Sequence, residues 1–168
     1  MKKVVVLPYD DKWKEEYTRI KTELLSALGD SILAIEHIGS TSVEGLAAKP
    51  VIDIDVMIKD YNVFETVKKR LSDIGYRHEG DLGVKDRQAF KYNNKPHLMK
   101  HNLYVCPEYS EELNRHLAFR NYLRNHPEDR DWYGSVKMLA AKRYPDDIDR
   151  YMIAKSPCAV EIINRSTK

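Results

Sequence analysis

Cysteine is scarce in this chain: Cys106 and Cys158 lie far apart and form no CxxC pair, which excludes a cysteine-based zinc site and a disulfide framework. No apolar run approaches the roughly 20 residues needed to span a bilayer, and the opening MKKVVVLPYD has too short an apolar part for a secretory signal. There is no GxxxxGK phosphate loop followed by Ser or Thr, so a kinase of that kind is not expected. A large excess of charge of one sign is missing too. With 28 Lys+Arg against 26 Asp+Glu the net charge is +2, which gives no electrostatic case for nucleic acid as a partner. Phe and Trp are few beside 11 tyrosines, whose scatter reads as the half-buried margin of a core. The expectation is one domain over residues 1–168, cytoplasmic and without a membrane partner, its oligomeric state open.

The chain offers regular patterns in a definite order. Val4 to Leu7 is a short β-branched run stopped by Pro8. From Lys12 to Leu28, Trp13, Tyr17, Ile20, Leu24 and Leu28 recur at helical spacing, and Gly29 stops the helix. A strand-like run from Ser31 to Ile38 leads to Gly39, and a loop of small residues follows from Ser40 to Lys49. Ile52, Ile54 and Val56 alternate with Asp53 and Asp55, the period of a strand. A helix capped by Asp60 or Asn62 runs to Gly75, and strands are expected at Tyr76 to Glu79, Gln88 to Tyr92 and Leu98 to Cys106. Ser110 caps a helix broken at His126-Pro127, a second helix runs to Pro145, and a third ends before Ser156-Pro157. Helix, mixed strands and a helical tail together predict an α+β domain with helices packed on one sheet.

Chemistry concentrates between Ile35 and Met57. Asp53 and Asp55 emerge on one face of their strand, opposite the isoleucines. Gly39-Ser40 permits close backbone approach, and the hydroxyls of Ser40, Thr41 and Ser42 with free N–H groups suit a phosphate cradle. Two carboxylates are ligands for a hard cation, Mg²⁺ or Mn²⁺, that bridges to substrate phosphates, and Lys49 is placed to neutralise phosphate charge. The competing reading is a solvated sheet face with turn-forming hydroxyls and a surface lysine. His37, alternating with Leu33 and Ile35, reads as structural. On the helix bearing Arg115, His116, Arg120 and Arg124, Arg120 is the preferred phosphate contact because HLAFRNYL sets it among apolar residues.

These residues carry a resemblance. GSTSVEGLAAKPVIDIDV, with VLPYDDKW upstream and HNLYVCP and RHLAFRNYLRNHPE downstream, resembles the GrpB family over about Val5 to Ser156. That family is placed in the nucleotidyltransferase superfamily. The resemblance implies a polymerase-β-type nucleotidyltransferase fold, with a mixed sheet, packed helices and a helical C-terminal tail. Gly39, Ser40, Asp53 and Asp55 match the superfamily signature, the turn holding an NTP triphosphate and the acids binding metal. A third carboxylate belongs on a later strand, but HNLYV has none, so His101 is the candidate replacement as base or metal ligand. The implied function is Mg²⁺-dependent transfer of an NMP group from an NTP to a small-molecule acceptor. The alternative is a non-catalytic module of the same fold that binds a nucleotide or phosphometabolite, coenzyme A-related among the possibilities.

Overall fold

A computed structural model describes residues 2–168. Five strands form one mixed sheet in the order β1-β2-β5-β4-β3: β1 (Ala34–Ile38), β2 (Ile52–Ile58), β3 (Tyr76–Gly80), β4 (Gln88–Tyr92) and β5 (His101–Pro107). Its central pair, β2 and β5, is parallel and the other pairs are antiparallel. Parallel neighbours need a crossover. It consists of α2 (Phe64–Asp73), β3 and β4, which carry the chain across the sheet before β5 returns beside β2.

One face of the sheet is apolar. Ile52, Ile54, Val56 and Ile58 of β2 and Leu103 and Val105 of β5 pack on Ile20, Leu24 and Leu28 of α1 (Lys12–Leu28) and on Val67 and Leu71 of α2. Burial of these side chains contributes on the order of 1.5–3 kcal/mol each before chain entropy is counted. This core fixes the register, because a slip of one residue along β2 would turn its isoleucines out and its aspartates in.

The helical tail covers part of the other face. It comprises α3 (Glu111–Asn125), α4 (Pro127–Arg143) and α5 (Ile148–Ser166). Leu123, Tyr133, Cys158 and Ile162 from these helices pack with Val43 and Leu46 of the loop after β1. The tail is thereby tied to the loop that carries Gly39 and Ser40.

The expected sheet strands and helices are present and Ser110 caps α3, but Asp60 caps only the short turn Tyr61–Val63 ahead of α2. Four boundaries differ. β1 begins at Ala34 rather than Ser31. Val4 to Leu7 makes no strand, only an isolated bridge from Leu7 to Ala48. The last sheet strand starts at His101 rather than Leu98. The third tail helix does not stop at Ser156: it continues with Pro157 inside it, since Cys158 and Ile162 are buried beyond the proline and their packing offsets the lost backbone hydrogen bond. Both cysteines are free and buried, and no helix is long and apolar enough to cross a membrane among the described residues.

Candidate functional site

Asp53 and Asp55 project from the face of β2 opposite the core, and the pairing of β2 decides their neighbours. Asp53 stands between Ile38 of β1 and Asn102 of β5, and Asp55 between Glu36 and Tyr104. Asn102 Nδ2 donates to Asp53 Oδ1 at 2.8 Å. The other oxygen of Asp53 faces the turn: a Cβ built on Gly39 would lie 2.5 Å from Asp53 Oδ2. With φ 72° and ψ −175°, Gly39 also occupies backbone space that is essentially closed to other residues. The glycine therefore gives the carboxylate its room.

Asp55 is fully buried. Its Oδ2 lies 2.6 Å from Nδ1 of His116 on α3, and His116 Nε2 lies 3.0 Å from Glu112 Oε1. Burial opposes charge on this imidazole, but the hydrogen bond and charge of Asp55, joined by Glu112, outweigh it and raise its pKa. His116 is thus held between two carboxylates, with one nitrogen facing each.

The remaining oxygen, Asp55 Oδ1, is buried with no hydrogen-bond partner. Burial, with the nearby charge of Asp55, also pushes the pKa of Asp53 up despite the bond from Asn102. Asp53, which no cation pairs among the described residues, and the orphaned Oδ1 of Asp55 fit a hard divalent cation such as Mg²⁺ or Mn²⁺. Among the described residues no group of three or more His, Cys, Asp or Glu side chains is arranged for a metal, so the protein offers two carboxylates and the amide of Asn102.

Positive charge accumulates on the other side of Asp53. Lys137 of α4 is 2% exposed and donates from Nζ to Ser40 Oγ at 2.7 Å. Burial pulls its pKa down to about 7, with Lys155 and Lys49 adding repulsion. Lys155 of α5 is lowered as well, first by burial and then by Lys49. Among the described residues none of these three lysines has a carboxylate partner within ion-pair distance. Lys49, Lys137 and Lys155 line a cavity of about 300 Å³ with Ser40, Asp53 and Asn102. A second cavity, about 400 Å³, lies on the α3 side and shares Ser40, Asp53 and Lys155.

The structure thus brings together Gly39, Ser40, Lys49, Asp53 and Asp55. Thr41 borders the lysine-lined cavity, but its hydroxyl is engaged by His37 Nε2 at 2.9 Å. Three other candidates do not join them. His101 projects to the opposite face of β5, because it pairs with Ile52 and shares the parity of Leu103 and Val105. Its ring is buried, 2.6 Å from the Tyr76 hydroxyl, bonded through Nδ1 to the Met99 carbonyl and stacked on Tyr92. Burial lowers its pKa. Arg120 is spent on Glu36 at 2.7 Å and on the His37 carbonyl at 3.0 Å, where it clamps α3 to β1. The buried Ser42 gives its hydroxyl to the Gly39 carbonyl, while its own carbonyl accepts two bonds from Arg124. His37 is structural as expected: stacked on Tyr17, it has a pKa lowered to about 3 by burial and the nearby arginines.

His101→Ala is accordingly expected to destabilise the fold by roughly 2–3 kcal/mol, since it leaves a buried tyrosine hydroxyl without its partner. Urea unfolding measures this, and nucleotide affinity of the folded fraction should be unchanged.

His116, Lys137 and Lys155 were not singled out as site residues by sequence reasoning. A signal existed for Lys137: on α4 it stands in the stripe of Tyr133, Ala140 and Ala141, all buried, where a lysine is out of place unless it has a task.

Comparison with known proteins gives this geometry a context. Residues 3–165 match a family model described as GrpB protein. YqkA of Bacillus subtilis is 34% identical over 155 residues, which is 92% of this chain but only 44% of YqkA, so the chain spans less than half of that relative. The crystal structure of the conserved protein GrpB from Enterococcus faecalis has 32% identity and a TM-score of 0.81, covering 98% of this chain and 100% of that one. The Cid1 poly(U) polymerase with MgGTP bound matches 81% of this chain and 44% of its own, with 14% identity and a TM-score of 0.57. At that identity the likeness concerns the fold alone, and the fold is that of the nucleotidyltransferases.

Proposed function

The chain belongs to the GrpB family, and we propose that it is a divalent-metal-dependent nucleotidyltransferase that moves an NMP group from an NTP to a small-molecule acceptor. One observation carries this reading: Lys137, buried and without a carboxylate partner among the described residues, bonds Ser40 in a cavity that Asp53 also lines. A lysine cluster with one fully buried member, next to an Asp53 that no cation pairs and an Asp55 with one orphaned oxygen, is costly for each half alone. A metal-bound triphosphate satisfies both at once, its phosphates meeting the lysines and its metal meeting the acids.

In this reading Ser40, Lys49, Lys137 and Lys155 hold the β- and γ-phosphates, and Asp53 and Asp55 hold the metal. His116 and Glu112 fix the Asp55 carboxylate, and Gly39 leaves space for that of Asp53. The bound metal would neutralise phosphate charge and acidify the attacking hydroxyl. The acceptor oxygen forms a bond to the α-phosphorus, the bond to the β-phosphate oxygen breaks, pyrophosphate leaves and the hydroxyl proton passes to solvent. The protein's part is chiefly positioning and charge.

Lys137→Met tests the phosphate side. Metal–NTP affinity measured by calorimetry should fall about 10- to 100-fold, the worth of a charged hydrogen bond. Wild-type affinity should be level below pH 7 and decline above it, because the free protein loses the Lys137 proton near that pH while the bound triphosphate favours the charged form. That slope should vanish in the variant.

A second reading, ligand binding without turnover, is favoured by Asn102, which stands across from Asp53 on the strand where a third carboxylate is expected. Pyrophosphate release over a panel of acceptors separates the two: release that needs Asp55 excludes the second, and binding without release excludes the first.

A further inference from the structure

The cavity on the α3 side of Asp53 has a chemistry of its own. Two arginines reach it, Arg87 from the segment leading into β4 and Arg115 from α3. Arg115 is paired with Glu112 at 3.0 Å. Arg87 makes no ion pair or side-chain hydrogen bond among the described residues. Its Nε is buried without a partner. The guanidinium lies over the Tyr104 ring, 4.5 Å from the centroid. Tyr104 is the residue that pairs with Asp55, so this stacking holds Arg87 next to the acids while its hydrogen-bonding edge stays unused.

A stacked arginine whose buried Nε–H has no acceptor costs free energy in the unliganded protein. The planar fork of a guanidinium is matched by phosphate or carboxylate oxygens. Phe119 and Tyr133 supply apolar wall to the same cavity, which at about 400 Å³ has the volume of a small metabolite. The lysine-lined cavity is separate, meeting this one at Ser40, Asp53 and Lys155.

We propose that this cavity is the acceptor subsite and that the acceptor carries an anionic oxygen group, phosphate or carboxylate, bound by Arg87 with Arg115 beside it. The inference rests on the transferase reading for the word acceptor, but the anion site is testable without any nucleotide. Arg87 is the specificity-determining residue: it seats the anionic end of the acceptor so that a hydroxyl at the other end faces the α-phosphate beside Asp53.

The test uses glycerol phosphate, glycerate and glycerol, which share a hydroxylated skeleton and differ in the anionic group. Calorimetric titration of the wild type should detect glycerol phosphate, glycerate or both, and which of them binds identifies the source of the anion. Arg87→Ala should weaken that binding about 10- to 100-fold, and Lys137→Met should not. Arg87→Gln, which keeps the bulk of the side chain, should behave like Arg87→Ala, and circular dichroism verifies that both are folded. Glycerol binding as tightly as the anions, no anion binding to the wild type, or a loss through Lys137→Met alone would each overturn the proposal. A separate metal–NTP titration of Arg87→Ala tells the two ideas apart: intact NTP affinity with lost anion binding supports the subsite, and failure of the wild type to bind NTP at all refutes only the transferase reading.

Discussion

Asp53→Asn is expected to remove metal-dependent nucleotidyl transfer, with a fall on the order of 10²–10³-fold or more in rate, while leaving the unliganded protein at least as stable as the wild type. The two effects have one cause. Burial first, and the charge of Asp55 second, raise the Asp53 pKa in the folded protein above its unfolded value. The folded state therefore binds the proton more tightly, and stability falls as pH rises from the unfolded pKa through the folded one. At neutral pH the charged carboxylate is thus a burden on the empty fold, and a neutral isostere relieves it. Thermal unfolding without ligand and pyrophosphate release with Mg²⁺ or Mn²⁺ measure the two sides. A rise or no change in melting temperature combined with lost transfer is the expected pattern. Lost transfer with a large drop in melting temperature would mean that Asp53 is structural.

Gly39→Ala should be nearly as damaging to activity but for another reason. The added methyl group would stand 2.5 Å from Asp53 Oδ2 and 3.1 Å from Asp53 Cβ, at a φ of +72° that L side chains avoid. The backbone cost is about 1–3 kcal/mol. Relief of the clash requires the carboxylate to turn or the turn to withdraw, and a displacement near 1 Å in a positioned site costs roughly 100-fold in rate. Gly39→Ala should therefore lower both melting temperature and transfer, in contrast to Asp53→Asn. Metal affinity followed with Mn²⁺ should fall with activity. An alanine variant with normal rate and normal stability would show that the close approach of turn and strand is not needed.

The acid-bearing strand was legible because its period is unambiguous: Ile52, Ile54 and Val56 demand a core, which leaves Asp53 and Asp55 no face but the other. The glycine-serine turn was legible because Gly39-Ser40 ends an apolar run and opens a loop of small residues. The same alternation in HNLYV held the information that His101 goes with Leu103 and Val105, and so with the core, and that Asn102 and Tyr104 go with the acids.

Helices concealed more. Arg120 among apolar neighbours did prove to be largely buried, but burial served an ion pair to Glu36 rather than a ligand. His116 and Lys137 depend on tertiary placement of α3 and α4 over the sheet, and neither the pairing with Asp55 nor the bond to Ser40 has a local sequence correlate. Lys155 lies on the helix that the sequence already predicts before Ser156-Pro157, but its approach to Asp53 depends on how α5 packs over the sheet.

The most direct test of the central claim, that one metal–triphosphate ligand satisfies the lysine cluster and the acid pair together, is thermal unfolding of the wild type with a non-hydrolysable NTP, with and without Mg²⁺. At about 100 times the dissociation constant the bound ligand should stabilise the native state by about 2.7 kcal/mol, and most of that gain should require the metal. The stabilisation should shrink in Lys137→Met and lose its metal dependence in Asp53→Asn. An NTP that leaves the melting temperature unchanged with and without Mg²⁺, or one whose effect ignores both substitutions, would contradict the account.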